Sequence, residues 1–200
     1  MITPDISRRI ADLYSRMESA YDKVAAALDF SCKGCPDNCC DSFFQHHTYV
    51  EWAYLWEGMK TLSEKRRKSL IERAEICAKE CDETLAKGER PCVMCPLNED
   101  GLCVLYPYRL MICRMHGIPS SFMRPDGIKI SFPGCFRCQE QVESKNDTPV
   151  LDRTELYREL ADLEVSLLGA RRHTMPKVKL TLAQMLVKGP PGSIEETCPP

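Results

Sequence analysis

The chain has 200 residues, of which 44% are hydrophobic, and at this length that fraction can bury a core of its own. Its 27 basic and 29 acidic residues leave a formal net charge of −2, so we expect no nucleic-acid partner. No apolar run approaches the ~18 residues that a membrane-spanning helix needs, so we expect no membrane segment. The first residues show no apolar stretch with a cleavage site, so we also expect no secretory leader and a cytoplasmic location.

Apolar side chains at steps of three and four predict three helices in the first half of the chain. The stripe of the first, over residues 6–28, consists of Ile6, Ile10, Leu13, Met17, Tyr21, Val24 and Leu28. The second covers residues 49–62, and we expect it to be the most deeply packed, with one side formed by Tyr49, Trp52, Leu55, Trp56 and Met59. The third begins after a capping Ser63 and ends before Gly88. Its predicted inner face consists of Leu70, Ala74, Cys77, Cys81 and Leu85.

The second half of the chain begins with a loop-rich stretch over residues 91–134, which carries six prolines. Within it, residues 122–130 predict two short strands joined by a Pro-Asp-Gly turn. A fourth helix is expected to begin at Asp152 or Thr154, with a stripe formed by Leu156, Leu160, Leu163 and Leu167. A last short helix is expected over residues 182–187, and the proline-rich residues 189–200 predict a disordered tail.

These elements predict a mainly α fold, in the form of a single compact helical domain over residues 1–188. Its N- and C-terminal elements are helical. Between them, at about residues 30–138, we expect a cysteine-rich, loop-dominated metal-binding region with one short β-hairpin.

Thirteen cysteines dominate the chemistry of the sequence, and they could hold each other, a metal or a substrate. A disulfide framework is typical of small secreted proteins, but here the count is odd and no leader is expected. We therefore expect thiolates that bind metal. Cys198 lies in the predicted tail and is expected to be a surface thiol.

Ten of the cysteines lie in loops, and six of them form three chelating steps. In each step two residues separate the cysteines, so that the chain can turn back and both sulfurs can face one ion. The steps are Cys32 to Cys35, Cys92 to Cys95, and Cys135 to Cys138, and the other four loop cysteines are Cys39, Cys40, Cys103 and Cys113. Ten thiolates exceed one tetrahedral site, so either two sites exist or some of the ten do not bind. Because Cys39 and Cys40 are adjacent, we expect them to serve two ions or two edges of a cluster.

The cysteines at positions 77 and 81 allow two interpretations. They lie one helical turn apart, so both sulfurs can face one ion, but they also occupy positions where Leu or Ala would complete an apolar stripe. Three histidines near cysteines, His46, His47 and His116, can likewise bind a metal or serve as ordinary surface or capping groups.

Two arginines, Arg109 and Arg114, lie on either side of Cys113. Together with nearby tyrosines they could line a pocket for an anion. The alternative, which we prefer, is that they neutralise a thiolate-rich cluster.

The order of the cysteine motifs resembles the YkgJ-type cysteine-cluster family, whose members are described as zinc- or iron-chelating domains. The matching residues are Phe30, Ser31, Cys32, Cys35, Cys39, Cys40, Cys95, Pro96, Leu97, Gly101, Cys103, Tyr106, Arg109, Cys113 and Arg114, followed by a cysteine after the hairpin. The chain departs from the family pattern in two places: three residues precede the double cysteine instead of two, and Leu110 follows Arg109 instead of proline. The resemblance covers roughly residues 30–138. It implies metal binding at Cys32, Cys35, Cys39, Cys40, Cys95, Cys103, Cys113 and Cys135, and it implies little about a substrate.

Zinc and iron are both compatible with the sequence, because thiolate ligands alone do not distinguish the two metals. Zinc suits closed four-sulfur sites that fold loops, whereas an iron–sulfur cluster would explain the excess of sulfurs in one region. The sequence shows no Ser/His/Asp order, phosphate-binding glycine loop or dinucleotide fingerprint.

We therefore expect a metal-binding protein that holds zinc or iron through clustered cysteine thiolates and has a structural or metal-handling role. Its expected partners are metal ions and a protein. The alternative is an iron–sulfur enzyme that carries out redox or group-transfer chemistry on a protein substrate.

Overall fold

The structure is a computed structural model, and it describes residues 2–33, 35, 39–143 and 147–192. The fold is mainly α, as the sequence predicts. Its helices are α1 (Pro4–Leu28), α2 (Tyr49–Lys60), α3 (Glu64–Ala86), α4 (Met111–Met115), α5 (Phe136–Val142), α6 (Thr154–Leu168) and α7 (Leu182–Val187). Its strands are β1 (Asn98–Glu99), β2 (Leu102–Cys103), β3 (Ser120–Met123), β4 (Lys129–Phe132) and β5 (Leu151–Asp152).

Helix α1 begins at a side-chain cap, since the Thr3 hydroxyl accepts a hydrogen bond from the amide of Ile6 at 3.3 Å and Pro4 occupies the first turn. The predicted stripe faces the interior, where α1 packs against α4 and α6. Tyr21 and Val24 lie at the edge of this stripe and are only half-buried. No helix in the described part of the chain is long and apolar enough to cross a membrane.

Helix α2 is buried on almost all sides, with nine of its twelve residues in the interior. It lies between two apolar cores. Trp52, Leu55 and Met59 belong to the core that contains α3 and α7, whereas Val50 and Tyr54 belong to the core that contains α1, α4 and α6. The prediction that this helix is the most deeply packed is therefore confirmed, and the reason is that it separates the two cores.

Helix α3 begins at the predicted cap, because the Ser63 hydroxyl accepts a hydrogen bond from the amide of Arg66 at 3.3 Å. The buried face that packs toward α7 consists of Leu70, Ala74, Cys77 and Cys81. The prediction for Leu85 was wrong, since its side chain is 44% exposed. The last turn of α3 extends beyond the core, whose final member from this helix is Cys81.

The loop-rich stretch contains the predicted hairpin. Strands β3 and β4 pair in antiparallel fashion, and β3 also pairs in parallel with β5, which gives the strand order β4-β3-β5. In the turn, Gly127 has a φ of 82°, a value that glycine adopts without strain. A second, smaller pair joins β1 to β2, and α4 and α5 add two short helices. Sequence patterns did not predict these elements, because they are too short to show a period.

The structure describes residues 189–192, the first part of the predicted tail. The backbone carbonyl of Gly189 accepts a hydrogen bond from the Trp52 indole at 2.9 Å. Residues 193–200, and with them the expected surface thiol of Cys198, lie outside the described residues.

A buried carboxyl group joins three helices. The Glu51 carboxyl is 4% exposed and accepts hydrogen bonds from the Tyr14 hydroxyl at 3.1 Å, the Thr48 hydroxyl at 2.8 Å and the Met111 amide at 2.7 Å. Burial raises the pKa of this carboxyl, and the three hydrogen bonds partly offset that rise. The group therefore connects α1 and α2 to the first residue of α4.

We predict that Glu51→Ala lowers the free energy of unfolding by about 2–4 kcal/mol, because two buried donors and the half-buried Thr48 hydroxyl lose their acceptor. Chemical denaturation of the two proteins would measure the difference. Glu57→Ala, on the same helix but paired with Lys60 at the surface, serves as the control and should change stability by less than about 1 kcal/mol. Equal effects of the two substitutions would contradict the structural role of Glu51.

Candidate metal centre

No disulfide joins any of the twelve cysteines that the structure describes. Charge interactions between thiols, which contribute to their raised pKa values, link eight of them in two groups. We name the group of Cys32, Cys35, Cys39 and Cys135 the first cysteine set. We name the group of Cys40, Cys95, Cys103 and Cys113 the second cysteine set.

The first cysteine set lies beside α1. Burial and then the charges of Cys32, Cys135 and Cys35 raise the pKa of the Cys39 thiol to about 11. The Tyr21 hydroxyl lies 3.8 Å from the sulfur of Cys32, and its pKa is raised by burial and by the charges of Cys32, Cys135 and Cys39. The amide of Cys35 bonds to the carbonyl of Cys32 at 3.1 Å, so the first chelating step does turn back on itself.

The position of Cys135 in this set depends on a close approach of two backbone segments. The amide of Cys135 donates to the carbonyl of Gly117 at 3.0 Å. The same carbonyl lies 2.7 Å from the place that a Cβ at Gly134 would occupy, and Gly134 has a φ of 89°. Only glycine fits there, so residues 134 and 117 together hold Cys135 next to the residues of α1.

Three members of the second cysteine set, Cys95, Cys103 and Cys113, pack against the core that contains α3 and α7. Burial raises the pKa of the Cys95 thiol, and the charges of Cys113, Cys40 and Cys103 raise it further. For Cys113, burial and then the charges of Cys103 and Cys40 raise the thiol pKa to about 12. A backbone hydrogen bond of 2.8 Å from the amide of Cys95 to the carbonyl of Cys40 fixes two of the four residues relative to each other.

The adjacent cysteines belong to different sets. They occupy a single 3-10 turn, Cys39–Asp41, in which the Cys39 thiol is affected by the charges of the first set and the Cys40 charge acts on the thiols of the second. That this pair serves two centres stays a prediction.

Two other predicted ligands differ from each other in their surroundings. Cys92 is exposed, and its backbone forms an isolated bridge with Ser42. Cys138 is completely buried in the apolar core that contains α1 and α6. Cys92 and Cys138 each belong to a two-residue step, but we count neither of them in a cysteine set. Their step partners, Cys95 and Cys135, are members.

The arginines that flank Cys113 act on the second set. Arg114 is 6% exposed and donates to the carbonyls of Arg109 at 2.9 Å and Pro107 at 2.7 Å. Burial raises the pKa of the Cys103 thiol, while the charges of Arg109 and Arg114 lower it. The buried Nε of Arg109 has no hydrogen-bond partner within the described residues. The geometry therefore supports the preferred interpretation, in which these arginines offset the charge of nearby thiolates.

The donor chemistry fits a cation that is bound by thiolates. Four sulfurs are the ligand set of structural zinc sites and of iron–sulfur clusters. Neighbouring thiolates repel one another, and this repulsion contributes to the raised pKa values of their thiols. A bound cation offsets the repulsion. As the side chains stand, however, no group of three or more His, Cys, Asp or Glu in the described ranges is arranged so that it could hold a metal ion.

A cavity of about 110 Å³ adjoins both sets. Its lining includes Cys39, Cys40, Cys77, Cys81, Cys95 and Cys113, two histidines, and apolar side chains such as Phe43 and Phe44. Burial and the charge of His47 lower the pKa of His46 to about 4, and burial and the charges of Arg153 and Arg90 lower that of His116. Both cavity histidines are therefore neutral at pH 7.

In a comparison with known proteins, no family model, curated protein or solved structure matches the chain.

The burial of His46 predicts a dependence of stability on pH. In the unfolded chain the imidazole takes up a proton near pH 6.5, whereas in the fold it remains neutral down to about pH 4. Protonation therefore favours unfolding, and as the pH falls from 6.5 to 4 the free energy of unfolding should decrease by up to about 3 kcal/mol from this residue.

We expect His46→Gln to remove this part of the pH dependence, measured by urea denaturation at several pH values. His173→Gln, which changes an exposed histidine, should keep the wild-type slope. A wild-type slope in His46→Gln would show that His46 does not carry the effect.

Proposed function

We propose that the protein binds metal through its two cysteine sets, with one centre in each, and that the metal fixes the loops between α1 and α6. The observation that carries this proposal is the division of eight cysteines into two groups of four at the Cys39–Cys40 pair. Four thiolates complete one tetrahedral site, so the two sets supply enough ligands for two centres. The resemblance to the YkgJ-type family points to the same eight residues.

Zinc is the metal that we favour for both sets. Each set has four sulfurs, which corresponds to the closed coordination of structural zinc sites. The loops that carry these cysteines have little regular structure of their own, and metal binding contributes folding free energy to segments of this kind. Arg109 and Arg114 fit the same role, because four thiolates and one divalent cation leave a net negative charge.

A reducing compartment such as the cytoplasm is the location that we propose, because thiolates that bind metal must escape oxidation. In this function the partners of the chain are metal ions. A protein partner would receive the metal or contact the fixed loops.

The second candidate function is that of an iron–sulfur enzyme with redox or group-transfer chemistry. The observation that favours it is the cavity of about 110 Å³, which is lined by cysteines of both sets and by His46 and His116. A purely structural metal site does not require such a space beside it. Anaerobic purification followed by absorption spectra and analysis of acid-labile sulfide separates the candidates. Zinc without sulfide supports the first, and iron with sulfide supports the second.

The two cysteines of one chelating step provide a matched test. We predict that Cys95→Ser lowers the metal content by about one ion per chain and that Cys92→Ser leaves it unchanged, because only Cys95 belongs to a set. Elemental analysis of the purified variants measures both. The pair Cys135→Ser and Cys138→Ser should repeat this contrast in the first set.

The number of centres follows from combining substitutions. Cys39→Ser should remove metal from the first set alone and Cys40→Ser from the second alone, and the double variant should contain none. Either set can lose its metal separately only if the two centres are distinct. Loss of all metal from each single variant would indicate one shared cluster, and unchanged metal in Cys39→Ser and Cys95→Ser would contradict the proposed function.

A further inference from the structure

The two cysteines of α3 lie outside both cysteine sets. The Cys77 and Cys81 side chains are one helical turn apart and 8% and 6% exposed, and the charge of Cys81 contributes to the raised pKa of the Cys77 thiol. Both line the cavity of about 110 Å³ that the second set also lines through Cys40, Cys95 and Cys113. The helix thus presents a pair of sulfurs to the same space as three members of a four-sulfur set.

A second, more open cavity reaches one cysteine of this pair, Cys77. It has a volume of about 250 Å³, and its lining includes Cys77, Cys95, Met94 and Glu80. Met94 is 44% exposed, so a sulfur lies at the surface beside this cavity. Cys77 and Cys95 line both cavities, and they therefore stand between the open space and the second set.

Packing alone does not account for this arrangement. A cysteine that acts as a small apolar residue is surrounded by side chains, as Cys138 is at 0% exposure. Cys77 instead borders two cavities. Thiols and thioethers are ligands for soft cations, and the open cavity is also lined by one carboxylate, Glu80, and one guanidinium, Arg73.

We propose that Cys77 and Cys81 form a two-thiol exchange site, through which zinc enters and leaves the second cysteine set. The inference rests on the proposed function, since it requires that the second set binds zinc. Two sulfurs leave two positions of a tetrahedral ion open, so the pair binds more weakly than the closed set and can pass the ion to Cys95. Each thiol releases its proton to water when its sulfur binds zinc and regains a proton when zinc moves on.

The kinetic test uses the full chain loaded with zinc. The double variant Cys77→Ala/Cys81→Ala should contain as much tightly bound zinc as the wild type. Transfer of zinc from its second set to a coloured chelator, followed by absorbance, should be at least about tenfold slower, because a ligand-exchange step is lost. Cys138→Ala removes a buried thiol far from the exchange site in sequence and should transfer zinc at the wild-type rate.

A binding measurement tests the same site in the unaltered chain. When cadmium is added to the protein, two tightly bound equivalents should be followed by a third, weaker one that increases the sulfur-to-cadmium absorption. This third equivalent should be absent from the double variant. A wild-type chain without it, or a double variant with the wild-type transfer rate, would overturn the exchange site while leaving the proposed function intact. A wild-type chain that binds neither metal would overturn both.

Discussion

The buried carboxyl group of Glu51 is the interaction on which the remaining structure depends. It lies in the helix that separates the two cores. Its oxygen accepts hydrogen bonds from the Tyr14 hydroxyl in α1 and from the Met111 amide at the start of α4. A buried carboxyl group is costly unless its oxygens are hydrogen-bonded, so its three donors must be placed together for the fold to form. Cys113 lies two residues after Met111, and the charge of Glu51 contributes to the rise in the pKa of its thiol. The same group therefore orders the helices and positions one residue of the second set.

The cysteine sets place opposite demands on the chain. Burial of thiols favours their neutral form, whereas metal binding requires thiolates. Arg109 and Arg114 reduce this conflict at Cys103, since both charges lower the pKa of that thiol. For the Cys39 thiol of the first set, the largest causes of the raised pKa are burial and the charges of Cys32 and Cys135, and the Tyr21 hydroxyl lies 3.8 Å from the sulfur of Cys32. The two proposed centres thus have different electrostatic surroundings.

The sequence predicted the long helices because their apolar stripes repeat over many turns, as in α1 and α3. It did not predict α4, α5 or the β1–β2 pair, which span at most seven residues each. Spacing also suggested that both members of each two-residue step face one ion. The structure leaves Cys92 exposed and buries Cys138, and contacts with residues distant in the sequence decide the surroundings of each step. Cys95 bonds to the backbone of Cys40, and Cys138 lies within α5 and enters the core. Such contacts have no local pattern.

If both sets bind metal as proposed, the turn at Cys39–Asp41 would couple them. A ligand held by Cys39 restricts the backbone dihedral angles of the residue that follows, and that residue is Cys40. Part of the conformational entropy that the second set must lose is thus already lost when the first is filled. Affinity at either set would then rise with occupancy of the other, and a peptide bond, with no side-chain contact between the sets, would be sufficient to transmit that coupling.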